Sequence, residues 1–553
     1  MDTETGDSVT GAPTQGNGID RRDLLKAGVF AGAAMTLPIV RSVGAAAPPK
    51  LPLSKLPKPF TLPFKRLPDA VPSHQDATTD YFEIDEVAAQ AEIIPGYKSW
   101  VYSYGGSVPG PVIHALRDRP TVVRFRNQLP ALHPTLGYES WTSVHLHGGN
   151  SLPQFDGYAG DVTHPGEYKD YHYLNNETGR TIWYHDHGMH HTAENAYHGL
   201  AGMYVIHDPA EEAAFPLPKG QHDICMVVHE AAFAADGNLW FSLANENMFP
   251  SDVILVNGVP WPVLKVKRRK YRFRIVVGSV SRAFGFSLSN GMPLKVIAGD
   301  GGLLPKPADT KVLWQCPGER YEVVIDFAEV FKGAPAGARV NLMNSPTVTV
   351  NVDGVNTNKV MAFELDADPD NFDPTNNAPV PAVLSPIDAE HDWKESDVVR
   401  DREWLLHRQN GLWKINRTTW EDIVLSGHEL VGATVPVGQV ERWTWKNSAG
   451  GWYHPSHAHF VDARIISRNG LPPRPYETGL KDTLFLGQNE EIKVLVRADT
   501  PGKWMIHCHN IIHEDHDMMT QFQVVGPNGE RGDDPLRAAP ARSLDEEPAD
   551  RLF

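Results

Sequence analysis

The chain has 553 residues, room for two to four domains, and 41% of them are hydrophobic, the composition of an ordinary soluble globular protein. A formal net charge of −17 argues against nucleic acid or an anionic membrane surface as a partner. Three cysteines are too few for a disulfide framework, whereas 25 histidines are many for a side chain so often used as a metal ligand.

In chain order, Arg21-Arg22-Asp23-Leu24-Leu25-Lys26 precedes an apolar run from Ala27 to Val40 and then Ala45-Ala46-Ala47. These are the parts of a twin-arginine signal over residues 1–47, and they predict export to a periplasmic or extracellular location. The run is too short to span a bilayer and contains Pro38, and no later segment reads as transmembrane, so membrane insertion is not expected. Residues 48–75 follow as a Pro-rich extended arm.

Beyond the arm, short runs alternate polar and apolar residues between Gly, Pro, Asn and Asp. In Tyr271-Arg272-Phe273-Arg274-Ile275 the apolar residues share one face and the arginines the other, the pattern of a half-buried strand. A strand of this character recurs as Val123-Arg124-Phe125-Arg126-Asn127 and as Arg442-Trp443-Thr444-Trp445-Lys446-Asn447. The copies lie about 150 to 170 residues apart, too far for a solenoid or propeller. The reading is all-β, with three similar sandwich domains at 76–210, 215–365 and 400–527. Residues 366–399 read as a linker, and the charged tail at 528–553 as disordered. Cys225 and Cys316 either pair in an oxidising compartment or stay as two buried thiols.

Four histidine clusters stand out: His145-Leu146-His147, His185-Asp186-His187, His454-Pro455-Ser456-His457-Ala458-His459, and His507-Cys508-His509 continuing through His513 to Met518. On a strand, imidazoles at i and i+2 point from the same face, so each pair can present two nitrogens to adjacent metal ions. The pairs follow the repeat: the first and third domains each carry two, and the second carries none. A metal cluster between the first and third domains is the economical arrangement. Cys508, His454 and His513 with Met518 form a trigonal thiolate–imidazole set with a long axial thioether, the donor set of a blue-copper site. Strand alternation points Cys508 away from His507 and His509, so electrons can cross between the two sites through covalently adjacent residues.

These motifs resemble those of the multicopper oxidases. Trp183-Tyr184-His185-Asp186-His187-Gly188-Met189-His190, Thr192-Ala193-Glu194-Asn195-Ala196-Tyr197, Val256-Asn257-Gly258, Pro260-Trp261-Pro262, Glu319-Arg320-Tyr321-Glu322-Val323-Val324 and His513-Glu514-Asp515-His516-Asp517-Met518-Met519 are similar to the bilirubin oxidases, and bacterial spore-coat laccases share much of this pattern. The resemblance covers about Tyr81 to Val525. It implies three cupredoxin-like Greek-key sandwiches and four copper ions. It makes His454, Cys508, His513 and Met518 the type 1 site and His145 and His457 the type 2 ligands. The type 3 pair is then held by His147, His185, His187, His459, His507 and His509. Asp156 and Glu514 match the proton donors that O2 reduction requires, and Trp452 matches a residue that tunes the type 1 site. His114, His133, His172, His190, His191, His198 and His516 fall outside the ligand pattern, and Met519 reads as core.

The implied reaction couples four one-electron oxidations of a small organic reductant to reduction of O2 to two waters. The reductants are phenols, aromatic amines or tetrapyrroles such as bilirubin, docked where a ring edge of His454 or His513 faces solvent. A metallo-oxidase acting on Cu(I) or Mn(II) is the alternative, although the 12 methionines are scattered rather than gathered in an insertion. A copper-binding electron carrier without oxidase activity would leave most of the paired histidines unexplained.

Overall fold

The computed structural model describes residues 49–242, 251–345, 354–368, 376–384 and 391–547. The segment read above as an export signal, part of the expected linker and the last residues of the chain lie outside them. The strands form six sheets, two to each of three cupredoxin-like sandwiches.

The recurring strand occupies the same place in all three. Thr121–Asn127 lies between parallel Asp80–Ala91 and antiparallel Glu167–Tyr173. Lys270–Val277 lies between parallel Asp223–Ala231 and antiparallel Arg320–Asp326. Val440–Asn447 lies between parallel Arg400–Gln409 and antiparallel Glu491–Arg497. The sequence repeat is thus a structural repeat, each copy the interior strand of its sheet. Alternation follows burial in the third: Trp443 and Trp445 go into the core while Arg442, Thr444 and Lys446 face outward.

The second copy departs from that expectation. Lys270–Val277 is buried on both faces, arginines included. Arg274 bonds Glu322 at 2.8 Å and Asp223 at 2.9 Å, Arg272 also pairs with Glu322, and Glu322 accepts from Thr181 of the first domain at 2.6 Å. The polar face predicted for solvent is an interdomain surface. There full ion pairing offsets the desolvation that would otherwise expel an arginine.

Apolar contacts join the domains pairwise. Trp183, Met203 and Val205 of the first pack on Val227 and Val276 of the second, Cys316 of the second packs with Tyr453 and Phe485 of the third, and Tyr158 of the first packs with Met505 and Met519 of the third. Cys225 and Cys316 are free thiols.

The tail, expected to be disordered, is folded against the first domain over its described residues, 528–547. Leu536 packs beside the Tyr158–Met505 cluster, and Arg542–Ser543 adds an antiparallel strand to Glu167–Tyr173. Glu547 accepts from Arg126 at 2.7 Å and Arg124 at 3.0 Å. Glu547 is not a solvated charge, because the first domain supplies its partners. A double-mutant cycle on Arg126→Ala and Glu547→Ala is expected to give a coupling of about 1 kcal/mol in denaturant unfolding, the size of a partly screened ion pair. Additive effects would contradict the docked tail.

Candidate metal centre

Two strand pairs present the histidines in equivalent registers. Val144–His147 runs antiparallel to Arg180–Asp186 with His145 opposite His185, and His454–Ala458 runs antiparallel to Gly502–Cys508 with His457 opposite His507. His187, His459 and His509 each follow directly on a strand end. Strand periodicity aims all eight rings into the space between the first and third domains. All are buried.

Within this one gathering of rings, the two triads and the pair that the resemblance implies are all neighbours. His187, His459 and His507 have centroids 4.8 to 5.2 Å apart, and the Nε2 atoms of His187 and His459 lie 3.2 and 3.1 Å from that of His507. His147, His185 and His509 have centroids 4.9 to 5.8 Å apart. His145 and His457, one from each domain, are 5.7 Å apart. Stacking at 3.8 Å between His145 and His459, and between His147 and His457, knits the sets into one centre.

Hydrogen bonds decide which nitrogen is left to bind a metal. Nδ1 donates to a backbone carbonyl in His145 (Asp156, 2.6 Å), His185 (Asp186, 2.7 Å) and His457 (Asp482, 2.9 Å), and in His459 it donates to Asp156 Oδ2 at 2.7 Å. Nε2 of His145, His185 and His457 is buried without a partner. His147 is reversed: Nε2 meets Asp482 Oδ1 at 3.1 Å and Thr483 Oγ1 at 2.9 Å, and Nδ1 is the bare atom. Bare buried nitrogens facing one another at these separations are costly unless a metal takes them.

On the opposite side of the strand, Cys508 Sγ lies 3.2 Å from His454 Nδ1 and 3.6 Å from His513 Nδ1, and the two nitrogens are 3.3 Å apart. A triangle of that size has its centre about 2 Å from each corner, close to a metal–imidazole bond length. One soft thiolate with two imidazoles suits copper. Met518 is buried beside this triangle in the third-domain core, its carbonyl accepting from the Cys508 amide at 3.1 Å. Met519 faces the other way, into the Tyr158–Met505 cluster.

Burial sets the protonation states. It drives His147, His185, His457 and His459 well below the ordinary imidazole range, and His187, His454 and His509 down to about 3, so all stay neutral as ligands must. The Cys508 thiol is pushed far up by burial. Asp156 is raised by burial against the opposing pull of His145. For Glu514 burial also pushes upward, but His507 and His187 overcome it and hold the carboxyl at about 2; its Oε2 lies 2.8 Å from His507 Nδ1.

The structure places every predicted ligand in one of these two groups. Among the described residues, His114, His133, His172, His190, His191, His198 and His516 join neither. One expectation fails. The rings of His454 and His513 present no edge to solvent. Trp413 stacks on His513 at 4.0 Å, half-buried Trp452 meets both His513 and Trp413 edge-on, and exposed Arg408 sits 4.9 Å above Trp413. Trp413, Asp482 and Thr483 went unnoticed in the sequence. They lie outside the histidine motifs, and only pairing of distant strands brings them there.

Three family profiles described as multicopper oxidase match residues 87–211, 230–332 and 401–528. The chain belongs to the multicopper oxidases, copper-dependent oxidoreductases that use O2. It is 40% identical to a bilirubin oxidase of Albifimbria verrucaria, over 80% of this chain and 76% of that protein. It is 30% identical to a laccase of Bacillus subtilis strain 168, over 84% of this chain and 98% of that protein. The solved McoA multicopper oxidase of Aquifex aeolicus superposes with a TM-score of 0.71 at 26% identity, covering 83% of this chain and 100% of that one.

Because His454 is neutral and the Cys508 thiol keeps its proton, loading metal on this triangle must expel the thiol proton. Calorimetry of copper binding in buffers of different ionisation enthalpy should show about one more proton released by the unaltered chain than by Cys508→Ser. Equal release would contradict the thiolate assignment.

Proposed function

We propose that this chain is an exported four-copper oxidase of aromatic organic reductants, in the manner of the laccases and bilirubin oxidases. Type 1 copper is assigned to His454, Cys508 and His513 with Met518 as axial ligand. Type 2 is assigned to His145 and His457, and the type 3 pair to the triads His147/His185/His509 and His187/His459/His507. The observation that carries this reading is the position of Cys508 between His507 and His509, one donor on one side of the strand end and two on the other. Copper, when bound, supplies one-electron acceptance at the thiolate site and the pooled electrons that turn O2 into two waters.

The chain's own groups do the rest. Cys508 and its two peptide neighbours give a covalent path between the donor sets. Asp156, its carboxyl raised by burial and accepting through Oδ2 from His459 Nδ1, is the group placed to deliver a proton beside the cluster. Glu514, ionised against His507 and His187, is the acceptor that takes up and passes on the next. Exclusion of water by the surrounding domains keeps partly reduced oxygen from escaping.

At the electron entrance the outermost groups are the half-buried Trp452 ring and the exposed Arg408 guanidinium, which together cover the buried Trp413. A planar aromatic donor packs against the Trp452 ring there. An aromatic ring at the entrance, with the 12 methionines scattered through the chain, favours an organic reductant over a metallo-oxidase. Comparing turnover of bilirubin, a phenol and Cu(I) by the copper-loaded protein tests this. Reaction with the metal ion alone would overturn it.

Cys508→Ser is expected to lose the blue colour and the turnover while keeping the fold by circular dichroism. Asp156→Asn is expected to slow O2 reduction by about 10²- to 10⁴-fold, the usual worth of a positioned proton donor. Anaerobic bleaching of the blue colour by substrate should be unchanged in that variant. Slowed bleaching would place Asp156 on the electron path instead.

A further inference from the structure

The middle domain donates no histidine, yet its segment Cys316–Arg320 forms a wall of the cluster. Gly318, in the left-handed region at φ 86°, lies so close that a Cβ there would come within 2.9 Å of the His509 ring and 3.0 Å of the His147 ring. Two residues on, the fully buried Arg320 reaches past it to the third domain. Its Nη1 donates to Asp482 Oδ1 at 2.6 Å and its Nη2 to Oδ2, a two-point fork on one carboxylate.

Asp482 in turn serves two rings. Its Oδ1 lies 3.1 Å from His147 Nε2, and its backbone carbonyl accepts from His457 Nδ1 at 2.9 Å. Asp300 of the middle domain fixes the same segment by accepting from the amides of Asp482 and Thr483 at 3.3 and 3.2 Å. Lys481 bridges Asp300 at 2.9 Å and Glu319 at 2.8 Å. Five charged side chains from two domains thus close on one another at the point where His147 and Gly148 of the first domain arrive.

We propose that Arg320 is a positioning residue for the copper cluster: by clamping Asp482 it fixes the tautomer and orientation of His147, so that Nδ1 rather than Nε2 is the donor atom. The inference rests on the four-copper reading above. A carboxylate forked to a guanidinium can only accept, so His147 must carry its proton on Nε2. In His145, His185 and His457 a carbonyl takes Nδ1–H and leaves Nε2 bare. For His147 a carboxylate does the reverse, and that carboxylate is held from the ligand-free domain. The middle sandwich therefore acts on the cluster without touching metal, as outer partners of metal-bound imidazoles do elsewhere.

The test uses the copper-loaded full chain, with the blue type 1 colour as an internal control for folding. In Arg320→Gln the blue colour should persist, while cluster copper is lost to a chelator at about 10- to 100-fold lower chelator concentration than in the unaltered chain. The type 2 paramagnetic resonance signal should shift with it. Arg320→Lys keeps the charge but not the fork, and should recover only part of the loss. Cluster copper held within about twofold of the unaltered chain, with an unchanged resonance signal, overturns the proposal. If Arg320→Gln does not fold, Gly318→Ala decides, since it presses on His147 and His509 directly. Selective weakening of the cluster under an intact blue colour supports the wall, and no change overturns it. Fewer than four coppers in the unaltered chain would bring down the copper assignment itself, whereas four in both the unaltered chain and Arg320→Gln, equally held, bring down only the clamp.

Discussion

Imidazole nitrogens with no hydrogen-bond partner are gathered in a space closed to water, and the rest of the molecule is arranged around their cost. Each such group costs about 1–3 kcal/mol when left unpaired. The metal-free chain carries this burden at several rings together, and copper relieves it. Folding and metal uptake are thereby linked. The linkage explains why ring orientation is fixed so thoroughly from behind, by the carbonyls of Asp156, Asp186 and Asp482 and by the carboxylates of Asp156, Asp482 and Glu514. A ring free to turn would offer the wrong nitrogen half the time.

Triplication of one sandwich makes this possible. The first and third domains hold matching pairs of histidine-bearing strands, and the matching register of His145 with His185 and of His457 with His507 shows the same device used twice. The second domain has the sheets without the histidines and serves as the body against which the others are set. Its polar strand face, Arg272 and Arg274, is spent on that contact. The tail closes the arrangement by returning from the third domain to pair with the first.

Much of this was legible in the sequence because it depends on periodicity. Histidines two apart, a cysteine between two of them, and a strand pattern repeated three times each translate directly into which way a side chain points. What escaped depends on who the neighbour is. Arg272 and Arg274 alternate like solvent-facing residues, and only the approach of Thr181 and Glu322 makes them interior. Asp482 carries no local mark, since its partners His147 and Arg320 lie in other domains. The burial of His513 beneath Trp413 follows from the strand Leu412–Ile415, which pairs with Arg400–Gln409 and turns the indole onto the imidazole, a contact that no spacing in the chain announces. The tail is rich in charge and proline, and its order comes from two arginines some 420 residues away, Arg124 and Arg126.

Alternation along Gly502–Cys508 and the residue after it has a further consequence. Cys508 and its flanking histidines owe their separate sides to a pleat of period two. Sliding that strand by a single position against His454–Ala458 would turn the sulfur inward and both imidazoles outward. The two metal sites therefore cannot drift apart gradually. An insertion or deletion of one residue before His507 would dismantle both together, leaving a sandwich of ordinary stability that carries neither.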